Sequence, residues 1–339
     1  MTVLFATHPL FLRHDTGAGH PERPQRLQAV LDGAAAAGLG EALVDLAPRP
    51  ATRAELEAVH PAAFIDRIEA FCAAGGGYID GDTVASAESY DAAVLAAGTG
   101  LTAIEALDRG EAGATSAFCA ARPPGHHARV AQAMGFCLFN TVAVAAAALA
   151  DRGERVLVVD YDVHHGNGTQ DIFYDDPRVL YVSFHEWPLY PGTGSLHETG
   201  AGEGTGMNVN FPLPAGATGD VYRAGIDDAL SPLVADWEPT WLLVSAGFDA
   251  HRDDPLAGIA LAAGDYADIT AALLAFVPAG RRIVFLEGGY DLGALSRSTT
   301  ACLGAMAGVD LRPEPATSGG PGRTVVDAVV ERRILDARL

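Results

Sequence analysis

The chain has 339 residues, of which 49% are hydrophobic and 19% charged, a composition typical of a folded globular protein and not of a disordered one. Its 43 acidic and 22 basic residues give a net charge of −21, and every basic residue is an arginine. This charge excludes nucleic acid and anionic membrane surfaces as expected partners, because both require a basic protein face. An acidic surface does allow a cationic ligand.

The cysteines and the apolar segments indicate where the protein resides. The four cysteines form no C-x-x-C motif and stand in apolar contexts, so we expect neither disulfides nor a thiolate zinc site. No signal-peptide pattern is visible, and the longest apolar run, Val142–Ala150, is far shorter than the ~20 residues of a membrane span. These features predict a cytoplasmic protein.

Short β-branched runs alternate with alanine-rich helical stretches. The predicted strands, in chain order, are Val3–Ala6, Ala117–Ala121, Arg155–Asp160, Val179–Phe184, Trp241–Ala246 and Ile283–Leu286. The predicted helices are Arg23–Ala37, Ala54–Ala73, Ala92–Asp108, Phe136–Ala150, Gly219–Ala235 and Gly264–Phe276. Continuous apolar strands between helices are typical of parallel strands buried on both faces. The pattern therefore predicts an α/β protein with three α/β/α layers around a mostly parallel sheet.

The C-terminal part of the chain differs in composition from the rest. Residues 312–322 are rich in proline and glycine, and residues 324–339 fit a short strand or helix. We expect one domain over residues 1–311, with residues 312–339 as an appendage that packs on it or trails from it.

Titratable residues concentrate just after the predicted strands. Six of the eleven histidines stand there, in the segments 126–127, 164–165, 185 and 251. Ligands of open parallel sheets bind beyond the carboxyl ends of the strands. The sequence therefore predicts a functional site at this edge of the sheet.

Three of these residues alternate along one strand end. Asp160, Asp162 and His164 point to the same face if the backbone is extended. Two carboxylates and an imidazole suit a metal ion such as zinc, with Asp249 after another strand as a candidate further ligand. The same pattern also fits a strand end with capping aspartates and a hydrogen-bonded histidine.

Two further motifs could carry acid–base chemistry. His126 and His127 follow a Pro-Pro-Gly turn, where one of them could act as a general base, or both could form an ordinary exposed pair. Tyr290 follows two glycines after a strand, where its hydroxyl could stabilise an oxyanion or pack at a strand–helix corner.

Taken together, these motifs resemble the histone deacetylase superfamily, which includes acetylpolyamine amidohydrolases, and its bacterial class II-like branch. The matching segments run in family order over about residues 1–310: Gly19–Pro24, Arg122–Ala128, Gly135–Cys137, Asp160–Gly168, Tyr190–Gly194, Ser245–Asp249, Asp254–Leu256 and Glu287–Tyr290. The resemblance implies an arginase-like fold with about eight strands and a zinc-dependent hydrolase of amide bonds.

The resemblance also implies roles for individual residues. The zinc ligands would be Asp162, His164 and Asp249. His127 would be the general base and acid, with Asn167 as its hydrogen-bond partner. His126 would pair with the carboxylate of Asp160, and Tyr290 would donate a hydrogen bond to the substrate carbonyl. Substrate contacts would come from Gly135, Phe136, Tyr190, Leu256 and, at an acetate-release channel, Arg26.

Structural potassium is the second cofactor that the resemblance implies. Asp160, Asp162, His164, Ser183 and Phe184 match one potassium site, and Phe173, Asp176 and Val179 match part of another.

Several alternatives remain open from the sequence. The expected substrate is an acetylated or short-acylated amine, with acetyl-lysine peptides or small acetylated metabolites favoured over acetylpolyamines because Leu256 replaces a glutamate of some polyamine deacetylases. A catalytically silent binding homologue is the alternative of another class. Fe²⁺ could replace Zn²⁺ at a site of nitrogen and oxygen donors. The oligomeric state stays open, and a dimer is plausible.

Overall fold

The computed structural model describes residues 1–336, so the last three residues of the predicted appendage lie outside the described part. Its strands are β1 (Thr2–Ala6), β2 (Leu43–Leu46), β3 (Gly76–Tyr78), β4 (Val84–Ser86), β5 (Ala114–Cys119), β6 (Val156–Asp160), β7 (Val179–Glu186), β8 (Asn208–Leu213), β9 (Trp241–Ala246) and β10 (Arg282–Leu286). Its α-helices are α1 (Gln25–Ala36), α2 (Arg53–Glu57), α3 (Ala62–Ala73), α4 (Ser89–Asp108), α5 (Thr141–Ala150), α6 (Asn167–Phe173), α7 (Gly219–Ala224), α8 (Ser231–Trp237), α9 (Ala263–Leu274), α10 (Leu292–Ala307) and α11 (Arg323–Asp336).

Eight of the strands form one parallel sheet in the order β2-β1-β5-β10-β9-β6-β7-β8, and β3 and β4 form a separate antiparallel hairpin. Side chains of one strand alternate between two hydrophobic cores: Val3 and Phe5 join one, whereas Leu4 and Ala6 join the other. Helices α1, α9 and α10 pack together, and so do α4 and α5. The prediction of a three-layer α/β/α fold with about eight mostly parallel strands is confirmed.

The predicted strands all exist, with ends shifted by a few residues, but two edge regions were missed. Strand β2 has only one buried residue, and β8 carries Asn208, Asn210 and Pro212, so neither shows a continuous apolar run. Helices α6 and α10 were also not predicted. The prediction of one helix over Ala54–Ala73 was wrong because the chain turns at Pro61, between α2 and α3.

The predicted helix Phe136–Ala150 begins five residues later than expected. Phe136 has a φ of 68°, outside the helical region, and the side chain of Asn140 accepts a hydrogen bond from the backbone N–H of Ala143 to cap α5. The predicted helix Gly219–Ala235 is α7 and α8 joined through a π-helical turn over Gly225–Leu230. The late start of α5 leaves Gly135 and Phe136 in a loop at the functional edge.

The C-terminal segment packs against the sheet layer. Its helix α11 contacts β8 and buries Val326 and Val329. Upstream, the Thr317 hydroxyl donates a hydrogen bond to Asp265 of α9 at 2.8 Å. Of the predicted strand or helix after residue 323, the structure contains the helix. The domain boundary at residue 311 stays a prediction.

None of the helices within residues 1–336 combines the length and the apolar character that crossing a lipid bilayer requires.

A fully buried ion cluster joins the N-terminal loops to the sheet. The Glu22 carboxylate contacts Arg122 through both of its oxygens, one of them at 2.6 Å, and contacts Arg26 at 3.1 Å. Burial alone would raise the pKa of Glu22, but the charge of Arg122 and a hydrogen bond with His14 hold it well below its usual value. The carboxylate is therefore ionised between two buried cations.

Neutralising this carboxylate should be strongly destabilising. We expect Glu22→Gln to lower the free energy of unfolding by ~3–5 kcal/mol, because it leaves two buried guanidinium groups without their counter-charge. Urea denaturation at pH 7 measures the loss. Glu57→Gln, which breaks the exposed pair with Arg53, is the matched control and should have little effect. Equal losses in the two variants would contradict this account.

A buried neutral histidine ties the segment around residues 126–140 to the turn between α2 and α3. Nδ1 of His60 lies 3.1 Å from the carbonyl oxygen of Val130, and Nε2 accepts the backbone N–H of Asn140 at 2.9 Å. Burial lowers the pKa of His60 from 6.5 to about 4. Folding therefore holds this imidazole in its neutral form.

His60 should make stability depend on pH. The unfolded chain binds the proton of His60 more tightly than the folded protein does. The contribution of His60 to stability is therefore complete above pH 6.5 and is lost as the pH falls towards 4, which lowers the free energy of unfolding by up to roughly 3 kcal/mol. In His60→Gln this loss should be absent. Urea denaturation of both proteins between pH 7 and 4 tests it, and parallel curves for the two would refute the assignment.

Candidate active site

Three predicted metal ligands meet at the carboxyl edge of two neighbouring strands, β6 and β9. Nδ1 of His164 lies 3.2 Å from an oxygen of Asp162 and 3.2 Å from Oδ2 of Asp249. Within the described residues, one ligand atom from each side chain lies within 4.8 Å of the other two, and all three residues are buried. The sheet brings Asp249 close because β6 and β9 pair in parallel, with Asp160 opposite Ser245.

The donors of this cluster fit a zinc ion. The backbone N–H of Gly288 binds one oxygen of Asp162, and that of Val163 binds Oδ1 of Asp249. Oδ2 of Asp249 is buried and faces the His164 imidazole. Burial lowers the pKa of His164, but the two carboxylates outweigh burial and raise it to about 10. This place therefore attracts positive charge, and an imidazole with two carboxylates is a donor set that zinc accepts.

A carboxylate beneath the histidine pair fixes its backbone. Oε2 of Glu287 accepts the N–H groups of Gly125 and His126 at 2.7 and 3.1 Å. Nδ1 of His126 in turn lies 3.0 Å from Oδ2 of Asp160. Burial alone would lower the pKa of His126, but the charge of Asp160 and of Asp162 raises it well above 6.5. His126 is therefore held as a cation beside its neighbour.

His127 has the opposite character. Its Nδ1 lies 2.8 Å from Oδ1 of Asn167, so the ring donates from Nδ1 and leaves Nε2 as an acceptor. Burial, followed by the charges of His126 and His164, lowers the pKa of His127 well below 6.5. A neutral imidazole with a free acceptor nitrogen has the properties of a general base.

Tyr290 stands on the opposite wall, on the turn after β10. The backbone N–H of Tyr290 donates to Oδ2 of Asp254 at 2.6 Å, and the Arg26 guanidinium lies 4.9 Å from the centre of the Tyr290 ring. Burial raises the pKa of Tyr290 well above 10, although Arg26 opposes the shift. The hydroxyl therefore stays protonated and can donate a hydrogen bond.

A cavity of about 240 Å³ opens over these groups. It is lined by Pro21, Asp82, His127, Gly135, Phe136, His164, Leu189, Tyr190, Leu256 and Tyr290. The lining is mostly apolar, and the rings of Phe136 and Tyr290 meet edge-on at 5.8 Å, as do those of His127 and Tyr190 at 5.1 Å. Such a slot suits the alkyl chain of a substrate with its reactive end at the metal cluster.

The structure brings most of the predicted site residues to this cavity, and the place of Arg26 at a release channel stays a prediction. Gly135, Phe136, Tyr190 and Leu256 line the cavity, but Arg26 does not. Its guanidinium lies behind Tyr290 and donates to the backbone oxygens of Glu287 and Gly289 at 2.5 and 2.6 Å.

Three further residues of the candidate site had no role assigned from the sequence. They are the clamp on the histidine turn, the acceptor for the Tyr290 backbone, and an acidic side chain in the cavity: Glu287, Asp254 and Asp82. Glu287 directly follows a buried strand at the functional edge, which was a usable signal. Asp82 lies in the β3–β4 hairpin, where no motif marked it.

The residues of the predicted potassium sites lie in β6, in β7 and in the segment between these two strands. Asp160 pairs with Ser183 across β6 and β7, and Phe184 follows in β7 with its ring stacked on Phe211. In the second set, the backbone N–H of Asp176 donates to the oxygen of Phe173, and β7 begins at Val179. Both potassium sites stay predictions.

Residues 20–306 match the family model of the histone deacetylase domain. The chain belongs to the histone deacetylase family. A probable deacetylase from Archaeoglobus fulgidus is 39% identical over 311 residues, covering 90% of this chain and 86% of the relative. A histone deacetylase-like amidohydrolase from Pseudomonas aeruginosa is 38% identical over 301 residues, covering 86% and 78%.

The fold of this chain is also that of a solved relative. The crystal structure of the HDA15 HD domain superposes with a TM-score of 0.89 at 35% identity, covering 98% of this chain and 95% of the other. This match confirms the predicted superfamily and fold. Family membership and the names of the relatives support hydrolase activity of the deacetylase type.

Gly135 tests how tightly the cavity holds His127. Gly135 has a φ of 56°, and a β-carbon there would lie 2.4 Å from the imidazole ring. We expect Gly135→Ala to lower the kcat/KM of the deacetylase reaction on the order of 100-fold, because it displaces the imidazole. Gly113→Ala is the control, since Gly113 has a φ of 61° and open space around it. The two variants share the backbone strain, so equal activity in both would refute the clash.

Proposed function

We propose that this chain is a zinc-dependent amidohydrolase that removes acetyl or another short acyl group from an amine. The observation that carries the proposal is the convergence of a zinc-compatible donor cluster, a neutral imidazole and a protonated phenol on one narrow cavity. In the proposal Asp162, His164 and Asp249 hold the metal. Zn²⁺ at this position would polarise the amide carbonyl and acidify a water molecule.

The protein side chains then perform the proton transfers. Nε2 of His127 takes the proton of the attacking water while Asn167 holds Nδ1–H. The Tyr290 hydroxyl donates to the oxygen on which negative charge develops. His127 finally passes its proton to the leaving amine. His126, a cation paired with Asp160, disfavours a second positive charge next to it and so promotes this release.

Structural K⁺ and the residues that line the cavity complete the proposal. K⁺ bound at the two sites predicted from the sequence would place positive charge near β6 and β7. The backbone oxygen of Gly135 would accept a hydrogen bond from the substrate N–H, and Phe136 and Tyr190 would flank the alkyl chain of the substrate. Arg26 would support the Tyr290 turn through its bonds to backbone oxygens and would line the acetate-release channel. The proposal places the enzyme in the cytoplasm.

Two substrate classes remain, and one observation favours each. The narrow apolar slot suits the side chain of acetyl-lysine in a peptide or a small acetylated metabolite. Asp82 in the cavity lining would favour a second amine on the substrate, as in an acetylpolyamine. Turnover of an acetyl-lysine peptide, acetylspermidine and small acetylated amines by the Zn²⁺- and Fe²⁺-loaded protein distinguishes them. Metal binding without turnover of any substrate would favour the silent homologue.

Tyr290→Phe separates chemistry from metal binding. Removing one donor to the oxyanion should lower kcat by about 10²–10³-fold, while the zinc content stays that of the wild type. Tyr266→Phe is the control, because it removes a buried hydroxyl that lies outside the cavity and has no hydrogen-bond partner. Steady-state kinetics with metal analysis measure both quantities. Wild-type turnover by Tyr290→Phe would eliminate the assigned role.

A further inference from the structure

The loop between β9 and α9 contributes both to the donor cluster and to the cavity over it. The residues between β9 and α9 include Asp249 in the donor cluster, Asp254 on the Tyr290 backbone and Leu256 in the cavity. The base of the loop is closed by hydrogen bonds from Arg252 N–H to the Leu261 oxygen and back from Leu261 N–H to Ala250. A shift of this loop would therefore move a metal ligand and the tyrosine together.

The loop is held from behind by the C-terminal segment. His251 is fully buried, and its Nε2 lies 2.7 Å from Oε2 of Glu314, 63 residues further along the chain. Nδ1 of His251 accepts the backbone N–H of Asp253 at 3.1 Å, so Nε2 carries the proton and donates to Glu314. Glu314 lies beyond residue 306, where the match to the family domain ends.

Glu314 has further partners that fix its position. Its carboxylate accepts the N–H of Ala263, which begins α9, at 3.1 Å, and pairs with Arg252 at 2.8 Å. Burial alone would raise the pKa of Glu314, but the hydrogen bonds from His251 and Ala263 lower it to about 2. The carboxylate is therefore ionised and joins the base of the loop to the next helix.

This group is an ion-pair network and not a second metal site. His251, Asp253 and Glu314 have donor atoms close enough for a cation. However, Arg297 lies 2.8 Å from Asp253 and 3.3 Å from Glu314, and Arg252 pairs with Glu314 as well. Two guanidinium groups already neutralise the two carboxylates.

We propose that Glu314 is a positioning residue of the active site, which acts through His251 to hold the Asp249–Leu256 loop in its metal-binding conformation. The C-terminal segment would thus be a functional part of the enzyme. The inference rests on the proposed function only where it concerns zinc and turnover, because the anchoring of the loop is independent of both.

The test compares four full-length proteins: the wild type, Glu314→Ala, Glu314→Gln and Thr317→Val. Glu314→Gln keeps an acceptor for the His251 N–H. Thr317→Val is the matched control, because it removes hydrogen bonds of the same segment to Asp265 and to the N–H of Gly219 and keeps the contact of Glu314 with His251. The measurements are hydrogen exchange of residues 248–258 in the metal-free protein, Zn²⁺ affinity by chelator competition, thermal stability, and kcat and KM. This window ends before Ala262, whose N–H is bound by Asp265.

We expect Glu314→Ala to speed exchange of the loop, to weaken Zn²⁺ binding about tenfold and to lower kcat more than it raises KM. Glu314→Gln should restore most of these values, and Thr317→Val should lose thermal stability with the loop and the Zn²⁺ affinity unchanged. Unchanged exchange in Glu314→Ala, or equal effects in Thr317→Val, would overturn the proposal. If the wild type binds no Zn²⁺, the proposed function fails, and loop exchange alone decides the role of Glu314.

Discussion

The burial of several carboxyl groups at one edge of the sheet is the constraint on which the candidate site depends. Asp160, Asp162, Asp249 and Glu287 are all at most 1% exposed, and each buried carboxylate is costly unless it is compensated. The His126 cation compensates Asp160, and two backbone N–H groups bind Glu287. Asp162 and Asp249 share His164, so part of their charge is left for a bound cation.

The carboxylates also hold the loops of the site in place. Three carboxyl groups bind backbone N–H groups of another loop: Glu287 binds the histidine turn, Asp162 binds Gly288 before the tyrosine, and Asp254 binds Tyr290 itself. The loops that follow β5, β6, β9 and β10 are therefore cross-linked at the point where the strands end. Since these bonds are buried and join one loop to another, they make a rigid frame for the proposed metal ligands and acid–base groups.

The peripheral parts of the chain adapt this frame. The β3–β4 hairpin brings Asp82 into the cavity and supports Phe136, whose backbone N–H donates to the Thr83 hydroxyl. The C-terminal segment reaches the loop of Asp249 through Glu314. Neither part belongs to the loops that directly follow β5, β6, β9 and β10. Changes in the hairpin would alter the selectivity for a substrate, and changes in the C-terminal segment would alter the stability of the loop of Asp249.

The sequence alone determined the layers of the fold and the core of the site. Apolar strand runs predict a parallel sheet, topology places their carboxyl ends together, and a period of two puts Asp160, Asp162 and His164 on one face. Only the tertiary structure decided that Glu287 binds Gly125, 162 positions away, and that Glu314 binds His251. It also decided that Asp82 lines the cavity and that the Arg26 guanidinium donates to backbone oxygens of the Tyr290 turn. These contacts join distant loops through single hydrogen bonds, and no local periodicity in the sequence encodes such a pairing.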